Sequence, residues 1–202
     1  MKVLKNITFC IKNTWLWVGA LSGIASVGAI FWFATIVDRN LEFFLPGLVY
    51  GVLISILFFF QIKRCFWRSI SLICVSTVAH YVAFQTAVYS SEYLGYNGGN
   101  GFSAKLAVSG SVAGAIGAAI LGAAIVVLYP LAAWQKILTQ IIGVGAIFGT
   151  LLFFVFGIGQ RTSYLSCSLL YVPWQAAISY CLSLFYAPVQ ENKAKLPLQE
   201  QR

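Results

Sequence analysis

The sequence predicts an all-α integral membrane protein, a bundle of six transmembrane helices with both termini in the cytoplasm. Of its 202 residues, 60% are hydrophobic and only 9% are charged, whereas soluble domains carry about 25% charged residues. The apolar residues lie in long runs separated by short polar breaks, and about 20 such residues cross a bilayer. Because these runs do not alternate between apolar and polar residues, they predict helices.

Six spans follow from the apolar runs, at residues 14–37, 44–62, 67–89, 105–129, 136–157 and 164–187. Together they form one transmembrane domain over residues 14–187. Residues 1–13 precede it as a basic cytoplasmic segment, either a short interfacial helix or a frayed tail. The first apolar run is longer than the core of a signal peptide, so we expect an uncleaved span. Residues 188–202 carry mixed charge and Pro197, which predicts a disordered cytoplasmic tail.

The residues between the apolar runs indicate where each later span begins. Pro46 suits the first turn of the second span, and a basic turn precedes the third. The longest connection, residues 90–104, contains a glycine cluster and precedes the fourth span. Lys136 marks the start of the fifth span. In the sixth span, Pro173 frees a backbone carbonyl beside Gln175.

Lysine and arginine determine the predicted orientation. With the N-terminus inside, ten of the 13 basic residues face the cytoplasm, and only Arg39, Lys105 and Arg161 lie outside. This distribution satisfies the positive-inside rule, which the opposite orientation would violate. The net charge of +8 therefore reports topology. No basic stripe of the kind that follows phosphates is present, so no nucleic-acid partner is expected.

Tryptophan and tyrosine lie near the predicted span ends, as is typical of the belt where lipid meets water. We expect these side chains to mark the boundaries and to carry no chemistry. They are Trp15, Trp17, Trp67, Tyr89, Tyr129, Trp134, Tyr164 and Tyr186.

Small residues follow the fourth span. Helices in lipid associate through close packing, which small faces permit. We therefore expect this span to lie centrally and its glycines to serve packing inside the bundle rather than a dimer interface. The candidate helix-packing residues are Gly110, Gly114, Gly117 and Gly122.

Polar side chains inside spans are costly in lipid and point to function. His80 on the third span, and Tyr171 and Gln175 on the sixth, lie near mid-depth. If these spans adjoin, the three side chains line a polar cavity at the depth where transporters bind substrate, with Glu92 near its outer mouth. The alternative is a neutral His80 that hydrogen-bonds to a neighbouring helix and only locks packing.

Several classes of chemistry lack their residues. The five cysteines are scattered without a CxxC or a Cys/His cluster, which argues against a metal site or redox motif. No acidic pair lies within a span to hold a metal or to perform acid/base catalysis. We therefore expect no cofactor, no metal and no catalytic residues, that is, a protein that is not an enzyme.

The segment 45–51 (LPGLVYG) and the pair Trp174 and Gln175 resemble features of small uncharacterised polytopic inner-membrane proteins of bacteria. The resemblance implies a bacterial plasma membrane and no particular activity. Two functions remain open. One is a permease for a small solute or lipid, or its substrate-binding subunit, with a small molecule as partner. The other is an accessory or scaffold subunit that packs against other membrane proteins through its small-residue faces.

Overall fold

A computed structural model describes residues 2–36, 44–61, 65–96, 104–130, 134–152 and 164–199, with side chains at 12–32, 44–61, 65–96, 104–130, 134–152 and 167–186. The regular structure of the described residues is helical. The helices are α1 (Lys2–Ile36), α2 (Leu45–Gln61), α3 (Phe66–Tyr93), α4 (Ala104–Leu128), α5 (Trp134–Gly149) and α6 (Tyr164–Gln199). The predicted fold class, an all-helical bundle, is confirmed to this extent.

Among the described residues, four helices are long and apolar enough to cross a membrane, at Lys12–Trp32, Phe66–Tyr93, Ala104–Leu128 and Cys167–Tyr186. The other two, α2 and α5, have 17 and 16 residues. Large apolar side chains are exposed on the outside of the bundle, for example Trp17, Phe60 and Val127. Such a surface suits lipid rather than water. These features support an integral membrane protein, while the six-span topology and the orientation stay predictions.

The helices form a ring in chain order. Each packs against the next one, and α6 closes the ring by packing most extensively against α1. Helices α1 and α6 run antiparallel, since Trp15 stacks on Tyr186 near one end of the bundle while Gly23 meets Val172 further along. Helices α4 and α5 are antiparallel as well, because Gly110 meets Gly149 and Gly114 meets Gly145. We call the end of the bundle that holds Trp15 the Trp15 end. The opposite end, where the last turn of α3 lies, is called the Glu92 end. The expectation that the fourth span lies centrally is wrong, because α4 packs between α3 and α5 as one member of the ring.

An aromatic cluster fills the core at the Trp15 end. Trp15 is 0% exposed, packs edge-on against Phe58 at 5.1 Å between ring centroids and stacks on Tyr186 at 6.2 Å. Its indole Nε1 donates a hydrogen bond to Gln61 at 2.7 Å, and the Tyr186 hydroxyl donates one to the Tyr129 carbonyl at 2.8 Å.

This cluster corrects part of the predicted aromatic belt. Trp17, Trp67, Tyr89 and Trp134 are exposed, as belt residues should be, whereas Trp15, Tyr129 and Tyr186 are buried. The buried Tyr129 hydroxyl has no hydrogen-bond partner in the described part of the chain, whereas Trp15 and Tyr186 each donate their side-chain hydrogen to a group inside the bundle. A ring with such a partner can leave the interface without losing hydrogen bonds.

Helix α6 continues to Gln199, through residues expected to form a disordered tail. The segment 190–196 is rich in Gln, Glu, Lys, Ala and Leu, which are strong helix formers. A preformed helix also avoids the cost of nucleating a new one. Likewise, α1 is continuous from Lys2 to Ile36. From residue 2 onwards, the basic segment is therefore the first part of this helix and not a separate element.

Candidate functional site

His80 and Tyr171 meet between α3 and α6. The Tyr171 hydroxyl lies 3.5 Å from His80 Nε2, and the ring centroids are 5.5 Å apart. His80 is 7% exposed and also faces the indole of Trp174, with 6.4 Å between ring centroids. The structure therefore brings together two of the predicted site residues from distant parts of the chain.

A cavity of about 60 Å³ adjoins this pair. It lies on the Glu92 side of His80, between four helices, and small or apolar residues form most of its wall. The lining residues are His80, Ala83, Phe84, Ala87, Gly110, Ala113, Gly114, Gly149, Leu152, Leu170, Tyr171 and Trp174. Alanine and glycine on the facing helices leave the space open, because larger side chains there would fill it.

Two nitrogen atoms in the cavity wall residues have no hydrogen-bond partner. They are His80 Nδ1 and Trp174 Nε1, and both are buried within the part of the chain that the structure describes. A buried polar atom without a partner costs free energy, about 1–3 kcal/mol for a neutral group. Neighbouring atoms cover both nitrogens, so neither is presented to the space of the cavity as the side chains stand.

Gln175 lies in a different environment. Its side chain is 0% exposed and turns towards α1 and α2. The Gln175 Oε1 accepts a hydrogen bond from the Ser22 hydroxyl at 2.5 Å, and Nε2 donates to the Ser26 hydroxyl at 3.2 Å and to the Pro46 carbonyl at 3.5 Å. We call Ser22, Ser26, Pro46 and Gln175 the polar network. The carboxamide has partners for both its oxygen and its nitrogen, and it does not line the cavity.

Further hydrogen bonds join α2 to its neighbours at the same depth. The Tyr50 hydroxyl lies 3.2 Å from the Ser179 hydroxyl on α6, and the Ser76 hydroxyl donates to the Gly47 carbonyl at 2.8 Å. At Gly47 a Cβ would come 2.6 Å from Cβ of His80. The first turn of α2 therefore separates the polar network from the cavity, with Pro46 on one side and His80 on the other.

Glu92 lies apart from these residues. It is exposed in the last turn of α3, and its backbone carbonyl accepts a hydrogen bond from the Gly95 amide at 2.8 Å. It does not line the cavity. The predicted set therefore divides into His80 and Tyr171 at the cavity, Gln175 in the polar network and Glu92 at the bundle end.

The four glycines of α4 all lie at helix contacts. A Cβ on Gly110 would overlap the Gly149 carbonyl oxygen, and one on Gly114 would overlap that of Gly145, both on α5. Gly117 faces Ala83 and the Ala79 carbonyl oxygen on α3. Gly122 faces Leu138 and Ile141 on α5.

Sequence reasoning missed several residues of both sites. Ser22 and Ser26 are four residues apart on the face that carries Gly19 and Gly23, and this polar and small stripe is a signal that could have identified the network. Trp174 contributes to the resemblance described above but is not among the predicted site residues. The role of the Pro46 carbonyl leaves no sequence signal, since any residue carries a carbonyl group.

Among the described side chains, no three His, Cys, Asp or Glu residues come together as a possible metal site. No protein-family model matches the chain, and neither a curated protein nor a solved structure shows detectable similarity to it.

Proposed function

We propose that the protein is a permease for a small solute or lipid, or the substrate-binding subunit of one, in the plasma membrane of a bacterium. The proposal includes six spans with both termini in the cytoplasm. The single observation that carries it is the cavity between four helices beside His80 and Tyr171. Concave, mostly apolar spaces with a few polar groups are the usual form of small-molecule sites, and transporters place them near mid-depth.

The two ends of the bundle are packed differently, and this difference supports the proposed permease. The buried aromatic cluster around Trp15 fills the core at one end. The cavity lies in the other half, near the Glu92 end. A solute site in a transporter is exposed to one side of the membrane at a time, and alternating access requires a packed region on the other side. In the proposed orientation, the packed end is cytoplasmic.

The scaffold alternative is less well supported. It requires small-residue faces that are free to bind other membrane helices, but the glycines of α4 are occupied by contacts with α3 and α5. The glycines of α4 therefore offer no surface to a second protein, and the open glycines Gly28 and Gly143 lie on two different helices.

Filling the cavity tests the proposal. Ala113 lines the cavity and is 5% exposed, whereas Ala123 on the same helix is exposed on the outside. We expect purified protein in proteoliposomes to bind or import at least one member of a panel of radiolabelled neutral carbonyl compounds, amino acids, sugars and short-chain lipids. Ala113→Leu should reduce that binding or uptake about tenfold or more, a loss of about 1.4 kcal/mol, because the leucine side chain would occupy space that the ligand needs.

Ala123→Leu is the matched control and should retain the wild-type activity. The proposal is wrong if no member of the panel is bound or moved, or if Ala113→Leu and Ala123→Leu have the same effect. Equilibrium binding without flux, with the same pattern of variants, would identify a binding subunit rather than a permease.

A further inference from the structure

The walls of the cavity restrict the chemistry of its occupant, and this inference rests on the proposed function. Nearly all of the surface that the described lining residues present to the cavity belongs to carbon atoms. Neighbouring atoms cover His80 Nδ1 and Trp174 Nε1, and the Tyr171 hydroxyl lies 3.5 Å from His80 Nε2. The cavity therefore offers its occupant apolar contact rather than hydrogen bonds.

Such walls disfavour charged and polar occupants. No Lys, Arg, Asp or Glu is among the described lining residues. An ion, or a solute rich in hydroxyl or amide groups, would lose its hydration in this cavity without gaining partners, which is costly. A cavity with apolar walls instead stays free of water and binds apolar molecules. The occupant that suits this cavity is therefore a hydrocarbon group.

The volume of the cavity limits the size of that group. An engineered apolar cavity of about 150 Å³ in another protein holds benzene, which has six carbon atoms. The present cavity measures about 60 Å³, so by proportion it holds about two or three carbon atoms. This is the size of the end of an aliphatic chain and is smaller than an aromatic ring.

The depth of the cavity indicates where such a chain end comes from. Helix α3 has 28 residues and His80 lies at its middle, while Ala83 and Ala87 lie within about 11 Å of His80 towards the Glu92 end. The hydrocarbon core of a bilayer extends about 15 Å to each side of mid-depth. In the proposed topology the whole cavity lies within this core, on one side of the level where the acyl chains of the two leaflets meet.

We propose that the cavity binds the methyl end of a lipid acyl chain, which inserts between α3, α4, α5 and α6 beside Ala113. Acyl chains are the apolar groups available at this depth, and the large apolar side chains exposed on the outside of the bundle suit contact with them. Within the proposed function, the substrate is then a lipid rather than a polar solute.

The composition of the chain makes the test direct, since it contains one histidine. Full-length protein, deuterated except at the histidine ring, is placed in nanodiscs of dimyristoylphosphatidylcholine and examined by NMR. One batch of lipid carries protons only on the terminal methyl groups of its chains. A second batch carries them only on the carbon next to each ester carbonyl. A nuclear Overhauser effect (NOE) at the His80 ring then reports which part of the chain lies beside it.

We expect an NOE from the terminal methyl groups to the His80 ring and none from the carbons next to the ester. This comparison uses the wild-type protein, so it does not depend on the folding of a variant. Ala113→Leu should abolish the NOE, because the leucine side chain would occupy the place of the chain end. Ala123→Leu, on the outside of the same helix, should keep it.

Equal NOEs from the two lipid batches, the absence of an NOE from the terminal methyl groups, or an NOE that persists in Ala113→Leu would overturn the acyl-chain site. So would an NOE from dissolved propane in fully deuterated lipid without one from the terminal methyl groups, since the cavity would then take a free hydrocarbon.

The two proposals can fail separately. If the NOEs are as expected but no member of the panel is bound or moved, the proposed function fails and the acyl-chain site stands. If a sugar or an amino acid is imported in a manner that depends on Ala113 while the terminal methyl groups give no NOE, the acyl-chain site fails and the proposed function stands.

Discussion

Two helix crossings in this bundle bring backbones into contact by different chemistry. Where α4 crosses α5, Gly110 and Gly114 face Gly149 and Gly145, so glycine meets glycine on both sides. No side-chain hydrogen bond joins these two helices among the described residues. Where α1 crosses α6, Gly19 and Gly23 instead face residues that carry side chains, such as Val172, and the Ser22 to Gln175 hydrogen bond joins the helices.

The difference concerns how each crossing fixes its register. At the glycine crossing, sliding by one residue would bring a side chain against a backbone carbonyl, so shape alone excludes other registers. At the polar crossing, a slide of one turn could still find a small residue, but it would leave the Gln175 carboxamide without partners in the core. An unsatisfied amide there costs several kcal/mol in an apolar medium. Hydrogen bonding therefore supplies the specificity that packing alone lacks.

The largest effect is expected from a methyl group at the glycine crossing. In Gly114→Ala, the new Cβ would overlap the backbone carbonyl oxygen of Gly145, which can move only if the helices separate. We expect the free energy of unfolding to fall by about 2–3 kcal/mol, as in overpacked cores. The free energy of unfolding of the variant and of the wild type is measured by equilibrium unfolding in bicelles.

Gly143→Ala is the matched control, because a Cβ at Gly143 meets nothing within 4 Å. This variant should not lower the free energy of unfolding and should raise it by up to about 1 kcal/mol, because alanine has the higher helix propensity. Similar losses in the two alanine variants would show that the α4 and α5 contact does not depend on the absence of a side chain.

These two crossings also show how much the sequence could predict. Hydropathy identifies the helices, and the small residues of α4 identify a close contact, because both signals lie within one segment. Which helix makes the contact is not encoded locally. The glycines of α4 gave an expectation of a central helix, whereas in a closed ring each helix needs only two close neighbours, here α3 and α5.

The polar residues of α6 illustrate the same limit. Tyr171 and Gln175 are four residues apart and share a helix face, which led to the prediction of one cavity. In the bundle that face is wide enough to meet two sets of neighbours. Tyr171 reaches His80 on α3, and Gln175 reaches α1 and α2. Spacing along one helix determines the face of a residue, but the partner depends on where the other helices lie.

A smaller effect is expected at the polar crossing from Gln175→Leu. The change removes the hydrogen bonds to Ser22, Ser26 and Pro46 and leaves the volume similar. Hydrogen bonds between membrane helices contribute about 0.6 kcal/mol on average, with a maximum near 1.7. We therefore expect a loss of about 1–2 kcal/mol in the free energy of unfolding, below that of Gly114→Ala.

Gln140→Leu is the matched control, because it makes the same substitution at a glutamine outside the polar network. Oε1 of Gln140 is buried and has no hydrogen-bond partner among the described residues, so its replacement should be neutral or slightly stabilising. If Gln175→Leu proves as harmless as Gln140→Leu, the polar network does not stabilise the crossing, and packing must account for both crossings.

The smallest effect is expected from the single hydroxyl of Ser22, examined by a double-mutant cycle. Ser22 has one hydroxyl proton, but two acceptors are within reach, the Gly19 carbonyl at 2.7 Å and Gln175 Oε1 at 2.5 Å. Because the proton is shared, Ser22→Ala combined with Gln175→Leu should give a coupling energy of about 0.6 kcal/mol or less. Ser22→Ala combined with Gly114→Ala should be additive within about 0.5 kcal/mol, since these residues belong to separate crossings. A larger coupling in the second pair would mean that the two crossings respond to each other across the bundle, and that their difference in chemistry does not make them independent.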